Sequence, residues 1–173
     1  MSQEDKSAQA LAGALAEAEA AGADQSQIDA LSGTGVTFAQ YQEAIDRALD
    51  CMTSAGLEVV STDVVRSNGQ DVVSYAVASG TVADDQSPAV QEECYTTYAK
   101  FVDMFWQTST PDGLAYQERR AGALRAPLEG CLADNGVDVP AGASFHDLVV
   151  LASQHTQEDQ DCLGDVGYST WEG

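Results

Sequence analysis

The sequence predicts an α+β fold, mainly helical, with one antiparallel β-hairpin and two disulfides. Three observations carry that expectation. Apolar residues recur at helical spacing behind good N-caps. The period then changes, and Val-rich segments flank Asn68-Gly69. Finally, the cysteines Cys51, Cys94, Cys131 and Cys162 fall into a repeated pattern. The chain has 173 residues, 44% of them apolar, enough for a packed core. Residues 1–35 read as an N-terminal helix and linker, partly mobile, and residues 36–173 as one domain.

Along the chain, residues 7–21 come first. They are alanine-rich, with Leu11 and Leu15 as the large apolar side chains, and Gly22 ends them. Asp24 or Ser26 caps a short turn through Ile28 and Leu31, and residues 32–35 read as a linker. Thr37 with Gln40 forms a capping box. Behind it Phe38, Tyr41, Ile45, Leu49 and Met52 make one apolar stripe, and Gly56 stops the helix. Residues 57–66 and 71–78 pair around Asn68-Gly69, a dipeptide suited to a type I′ turn. Ser87-Pro88 opens the next helix, with Val90, Cys94, Tyr98, Phe101 and Phe105 on one face. Tyr95, Val102 and Trp106 widen that face. Residues 111–113 suggest a turn, and 116–133 a helix disturbed at Pro127. Ser144 with Asp147 caps residues 145–153, and Thr156 with Asp159 caps 157–163.

Residues 51–59 match residues 131–139 in the pattern Cys, apolar, three residues, Gly, apolar, acid, Val. Physically this is a glycine-capped helix end that turns directly into extended chain. Each copy precedes a further helix with one more cysteine. Four cysteines allow three pairings. The repeat selects Cys51 with Cys94 and Cys131 with Cys162, because each pair then closes within one copy. It also suggests residues 136–139 as a short third strand, ended at Pro140.

Acidic residues number 28 against seven basic ones, for a formal charge of −21. Such a surface repels nucleic-acid phosphates and anionic lipids, so no nucleic-acid partner is expected. No stretch is long and apolar enough to span a membrane. The polar start, Met1 to Lys6, reads as a linker of the kind left when a leader is removed. Widely spaced cysteines in even number favour an oxidising compartment, extracellular or cell-surface.

Catalytic chemistry finds little support. His146 and His155 would face opposite sides of a continuous helix, so no metal site is expected. No His-Glu-x-x-His, calcium loop, phosphate-binding loop or Gly-x-Ser-x-Gly elbow occurs. Asp159, Asp161 and Asp165 read as a solvated acidic face. No cofactor is expected. Tyr95 and Trp106, joined by Tyr116 and by Trp171 of the tail, are the candidate ligand-binding residues, because the Tyr95 and Trp106 side of their helix carries apolar groups beyond what one buried stripe requires. No residue is assigned a catalytic role.

The layout resembles secreted proteins and lipoproteins of unknown function from actinobacteria. The resemblance rests on residues 51–59, Cys94-Tyr95, Val102-Asp103, Trp106-Gln107 and residues 131–137, and it covers about Tyr41 to Cys162. It implies a cell-surface location, with a lipid anchor in the full-length product, and no particular activity. The functional expectation is a non-enzymatic extracellular binding or interaction module for a protein, peptide or sugar. The alternatives are a secreted hydrolase with an unrecognised site and an acidic inhibitor of a basic protein.

Overall fold

The computed structural model describes residues 1–157 and 160–168. The element order is α1 (Gln3–Ala21), α2 (Gln25–Leu31), α3 (Phe38–Ser54), β1 (Glu58–Ser67), β2 (Gln70–Ala78), α4 (Ser87–Tyr98), α5 (Lys100–Ser109), α6 (Pro111–Asp134), α7 (Phe145–Gln154) and α8 (Cys162–Asp165). The fold is α+β and mainly helical, with one antiparallel two-stranded sheet. The chain forms two compact units, Met1–Ala115 and Tyr116–Gly173. Residues 36–173 are thus divided between the two units. The two units carry separate cores, one around Tyr41, Ile45, Met52 and Val102, the other around Leu128, Leu132 and Leu148.

In the first unit, α1 begins four residues earlier than its alanine-rich stretch suggests. Ser2 and Asp5 form a capping box, so the polar start is the first helical turn. Leu11 and Ala18 of α1 are buried in the core, and α1 packs on α5. The capping box at Thr37 and Gln40 forms, and Tyr41, Ile45, Leu49 and Met52 are buried. The hairpin turns at Asn68 (φ 50°) and Gly69 (φ 76°), the left-handed pair a type I′ turn needs. A bulge at Val60 interrupts the register between Val59 and Ser61.

The expected single helix from Ser87 is two helices. Ala99, fully buried, leaves helical geometry (φ −134°, ψ −35°) and separates α4 from α5. The cause lies on α2. Gln27 is fully buried, and its amide nitrogen donates to the carbonyls of Thr96 (2.9 Å) and Thr97 (2.7 Å). Its amide oxygen accepts from the N–H groups of Phe101 (3.0 Å) and Val102 (3.4 Å). The Asp24 N–H adds a third donor from this side, to the Thr97 carbonyl at 2.8 Å. A helix end and a helix start, each with orphan backbone groups, are satisfied by one side chain.

Helix α6 starts at Pro111, where a turn was expected, because Thr110 caps it by accepting from the Gly113 N–H. In the second unit, Pro127 lies inside α6 without ending it, and the buried Leu128 and Leu132 beyond it hold the last turns to the core. Residues 136–139 do not form the third strand. Val137 and Val139 pack against the core of Leu132 and Leu148 as irregular chain, and only β1 and β2 pair as strands among the described residues. Ser144 and Asp147 cap α7 as expected. The Thr156 hydroxyl donates back to the Ala152 carbonyl and caps no helix among the described residues. Asp161 caps α8 instead, and Asp159 lies outside the described residues.

The repeat is structural at its helix ends. Gly56 and Gly136 both take positive φ. The N–H of Leu57 reaches the Met52 carbonyl at 3.0 Å, and that of Val137 reaches Leu132 at 2.9 Å. The same Schellman closure ends both helices. Beyond it the copies diverge, since Leu57 leads into β1. Both disulfides are the expected ones: Cys51–Cys94 (Cα–Cα 5.6 Å) and Cys131–Cys162 (5.7 Å). Each closes within one unit.

The chain-entropy account gives each bridge about 4 kcal/mol at most. Reduction should therefore lower the melting temperature sharply, and non-reducing peptide mapping should recover only these two pairs. A Cys51–Cys131 peptide, or a melting temperature indifferent to reductant, would contradict the assignment.

Candidate functional site

The most chemically distinctive place in the first unit is a buried carboxylate. Asp103 is the single acid in the apolar run from Phe101 to Trp106, and it is only 7% exposed. The Tyr95 hydroxyl donates to its Oδ2 at 2.7 Å, across the α4–α5 break. The Gln107 amide, one turn along α5, donates to Oδ1 at 2.6 Å. Burial pushes the Asp103 carboxyl above its ordinary range, and these two hydrogen bonds oppose that rise. Burial and the nearby Asp103 charge also raise the phenols of Tyr41, Tyr75 and Tyr95. All three therefore remain protonated at neutral pH.

A cleft of about 380 Å³ opens beside this cluster, lined by Met52, Tyr75, Pro88, Gln91, Glu92 and Tyr95. Tyr95 thus links the surface to the buried carboxylate. Glu92 at the rim pairs with Lys100 at 2.9 Å. The cleft has the size of a small-ligand site, with two aromatic walls and a carboxylate edge. Among the described residues, its lining includes no histidine, cysteine thiol or serine.

Trp106, the second residue singled out in the sequence, is engaged elsewhere. Its ring stacks on Tyr41 (centroids 5.4 Å apart, 11° between planes) and tilts against Phe38 at 5.9 Å. Its indole N–H donates to the Asp71 carbonyl at 2.8 Å, and the N–H of Val73 donates to the Tyr41 hydroxyl at 2.9 Å. Gln70 continues this seam, with its amide on the Trp106 carbonyl and its oxygen accepting from the Thr110 hydroxyl at 2.8 Å. Tyr41, Trp106 and Gln70 therefore fasten β2 to α3 and α5.

Tyr116 belongs to the second unit, and Trp171 lies outside the described residues. In the second unit Arg120 lies over the ring of Tyr168 at 4.8 Å, and Tyr168 meets Phe145 edge-on. No cluster of His, Cys, Asp and Glu suited to a metal ion occurs among the described residues. Sequence reasoning missed Asp103 and Gln27. A lone acid in a six-residue apolar run was the available signal for the first; nothing local marked the second. No family model, curated protein or solved structure matches the chain.

The Asp103 environment makes a signed prediction. Its folded-state pKa lies above the unfolded one, so its contribution to stability is full below the unfolded pKa, about 3.9, and is lost as pH rises through the folded value. Asp103→Asn removes that titration while keeping an acceptor for Tyr95. Urea midpoints of wild type and variant between about pH 3.5 and 7 should diverge, with wild type losing ground as pH rises. Parallel curves would refute the assignment.

Proposed function

We propose that the chain is a non-enzymatic extracellular interaction module whose partner is a basic protein or peptide. One observation carries this reading. Four of the seven cations are spent locally: Arg47 pairs with Glu43, Arg66 with Asp71, Lys100 with Glu92 and Arg125 with Glu129. The charge of −21 is thus left on a surface with little positive relief. Such a field steers cationic partners and rejects anionic ones. Val60 and Val64 of β1 are exposed, in a strand that also carries the acids Glu58 and Asp63. Two disulfides with no free cysteine support an oxidising, extracellular setting, and no helix among the described residues is long and apolar enough to cross a membrane. The resemblance to actinobacterial surface proteins is consistent with a lipid tether outside this chain.

A secreted hydrolase is the second reading, and the raised pKa of Asp103 beside a cleft favours it. Against it, both Asp103 oxygens already accept hydrogen bonds and Asp103 does not line the cleft. Its bond from Tyr95 braces α4 against α5.

Calorimetry with an octapeptide of alternating Val and Lys, and with its Val-Glu counterpart, tests the proposal. The Lys peptide should bind, and its affinity should fall steeply between about 0.01 M and 0.15 M salt. The Glu peptide should not bind. Equal binding of both peptides, or none by the Lys peptide, would overturn the proposal.

A further inference from the structure

The two edges of the sheet are treated differently. On β2, Asp71 accepts from Trp106 and Val73 donates to Tyr41, so both residues turn their backbone polar groups away from β1. In an antiparallel pair this orientation alternates along the strands and is shared by residues directly opposite. Val73 faces Val64 and Tyr75 faces Thr62. Thr62 and Val64 must therefore turn their own N–H and C=O groups away from β2, along the outer edge of β1. No hydrogen bond from the described residues reaches those groups.

That edge is lightly defended. β1 runs ten residues without proline, its charged side chains are Glu58, Asp63 and Arg66, the last of them paired with Asp71, and Val60 and Val64 are 62% and 54% exposed. A long exposed edge is a template for another strand unless charge, proline or a covering element blocks it. The single bulge sits at Val60, clear of Thr62 and Val64.

We propose that the outer edge of β1 takes an extended basic segment of the partner as a third, added strand. The inference rests on the basic-partner reading above and assigns it a place and a geometry. The alternation of side chains defines the occupant. On the face shared by Thr62 and Val64 the added strand carries apolar residues. On the opposite face, beside exposed Asp63, it carries Lys or Arg. A second copy of this chain is the wrong occupant, because each copy brings −21 and the two would repel.

The Val-Lys octapeptide is the probe, with a version N-methylated at alternate residues as control. N-methylation keeps the charge and removes the backbone donors an added strand needs. Wild-type protein should bind the methylated peptide about tenfold more weakly or worse, the equivalent of one or two lost hydrogen bonds. Exchange of the Thr62 and Val64 amides should slow on binding the unmethylated peptide. Val64→Pro deletes an outward N–H while sparing the ladder to β2, so it should fold and lose affinity similarly. Equal affinity for the two peptides, or unchanged amide exchange, overturns strand addition but leaves the basic-partner reading standing. Protection of the same amides by self-association would overturn it too. Failure of the unmethylated peptide to bind at all removes both. The methylation arm uses wild-type protein and decides the matter even where Val64→Pro misfolds.

Discussion

The first unit depends on the Gln27 amide. A continuous helix from Ser87 to Ser109 would place Cys94, Asp103 and Trp106 on one rigid cylinder. At Ala99 the cylinder breaks, and Gln27 supplies the backbone groups there with two donor contacts and two acceptor contacts. Each buried peptide group left without a partner would cost about 1–3 kcal/mol. Without the amide the break is therefore costly; with it, α4 and α5 are free to serve different neighbours. α4 packs on α3 and carries the disulfide to Cys51. α5 packs on α1 and turns Trp106 and the Gln70 seam toward β2.

The same seam explains the asymmetry of the hairpin. An isolated two-stranded sheet is marginal in water and needs a helix or further strands to hold it. Tyr41 and Trp106 hold it by side-chain hydrogen bonds to the edge of β2 as well as by ring packing. Gly56 and Gly80 close its base, where a Cβ on Gly80 would run into the Gly56 carbonyl. With β2 covered and the base fixed, β1 is the strand left facing outward. Its exposure is a consequence of how the sheet is anchored.

What the sequence showed plainly was short-range chemistry. Thr37 and Gln40, Ser144 and Asp147, and Asn68-Gly69 each act within a few residues, so their conformations are dictated by residue type. The disulfides were legible because the repeat pairs each helix end with the next cysteine along the chain. Gln27 was not legible, since its partners lie 69 to 75 residues away and glutamine has no local signature for such a role. The break at Ala99 was hidden for the same reason. Residues 136–139 misled because a Schellman end fixes how a helix stops, while the available neighbours decide the path of the chain beyond it. Val137 and Val139 found a helical core, with no strand beside them among the described residues. Of the candidate site, Tyr95 and Trp106 were visible as surplus aromatics. The carboxylate that Tyr95 serves and the edge that Trp106 covers depend on tertiary geometry.

The direct test of this account is residue-specific amide exchange in Gln27→Leu and Gln27→Glu. Leu keeps the bulk and removes every hydrogen bond, so the Phe101 and Val102 amides should lose protection, with stability falling by about 3 kcal/mol. Glu keeps an acceptor but, when ionised, presents no donor to the Thr96 and Thr97 carbonyls. Its deficit should shrink as pH falls and the carboxyl gains a proton to donate. Wild-type protection of Phe101 and Val102 in the Leu variant, with an unchanged urea midpoint, would contradict the claim that this one amide holds the break.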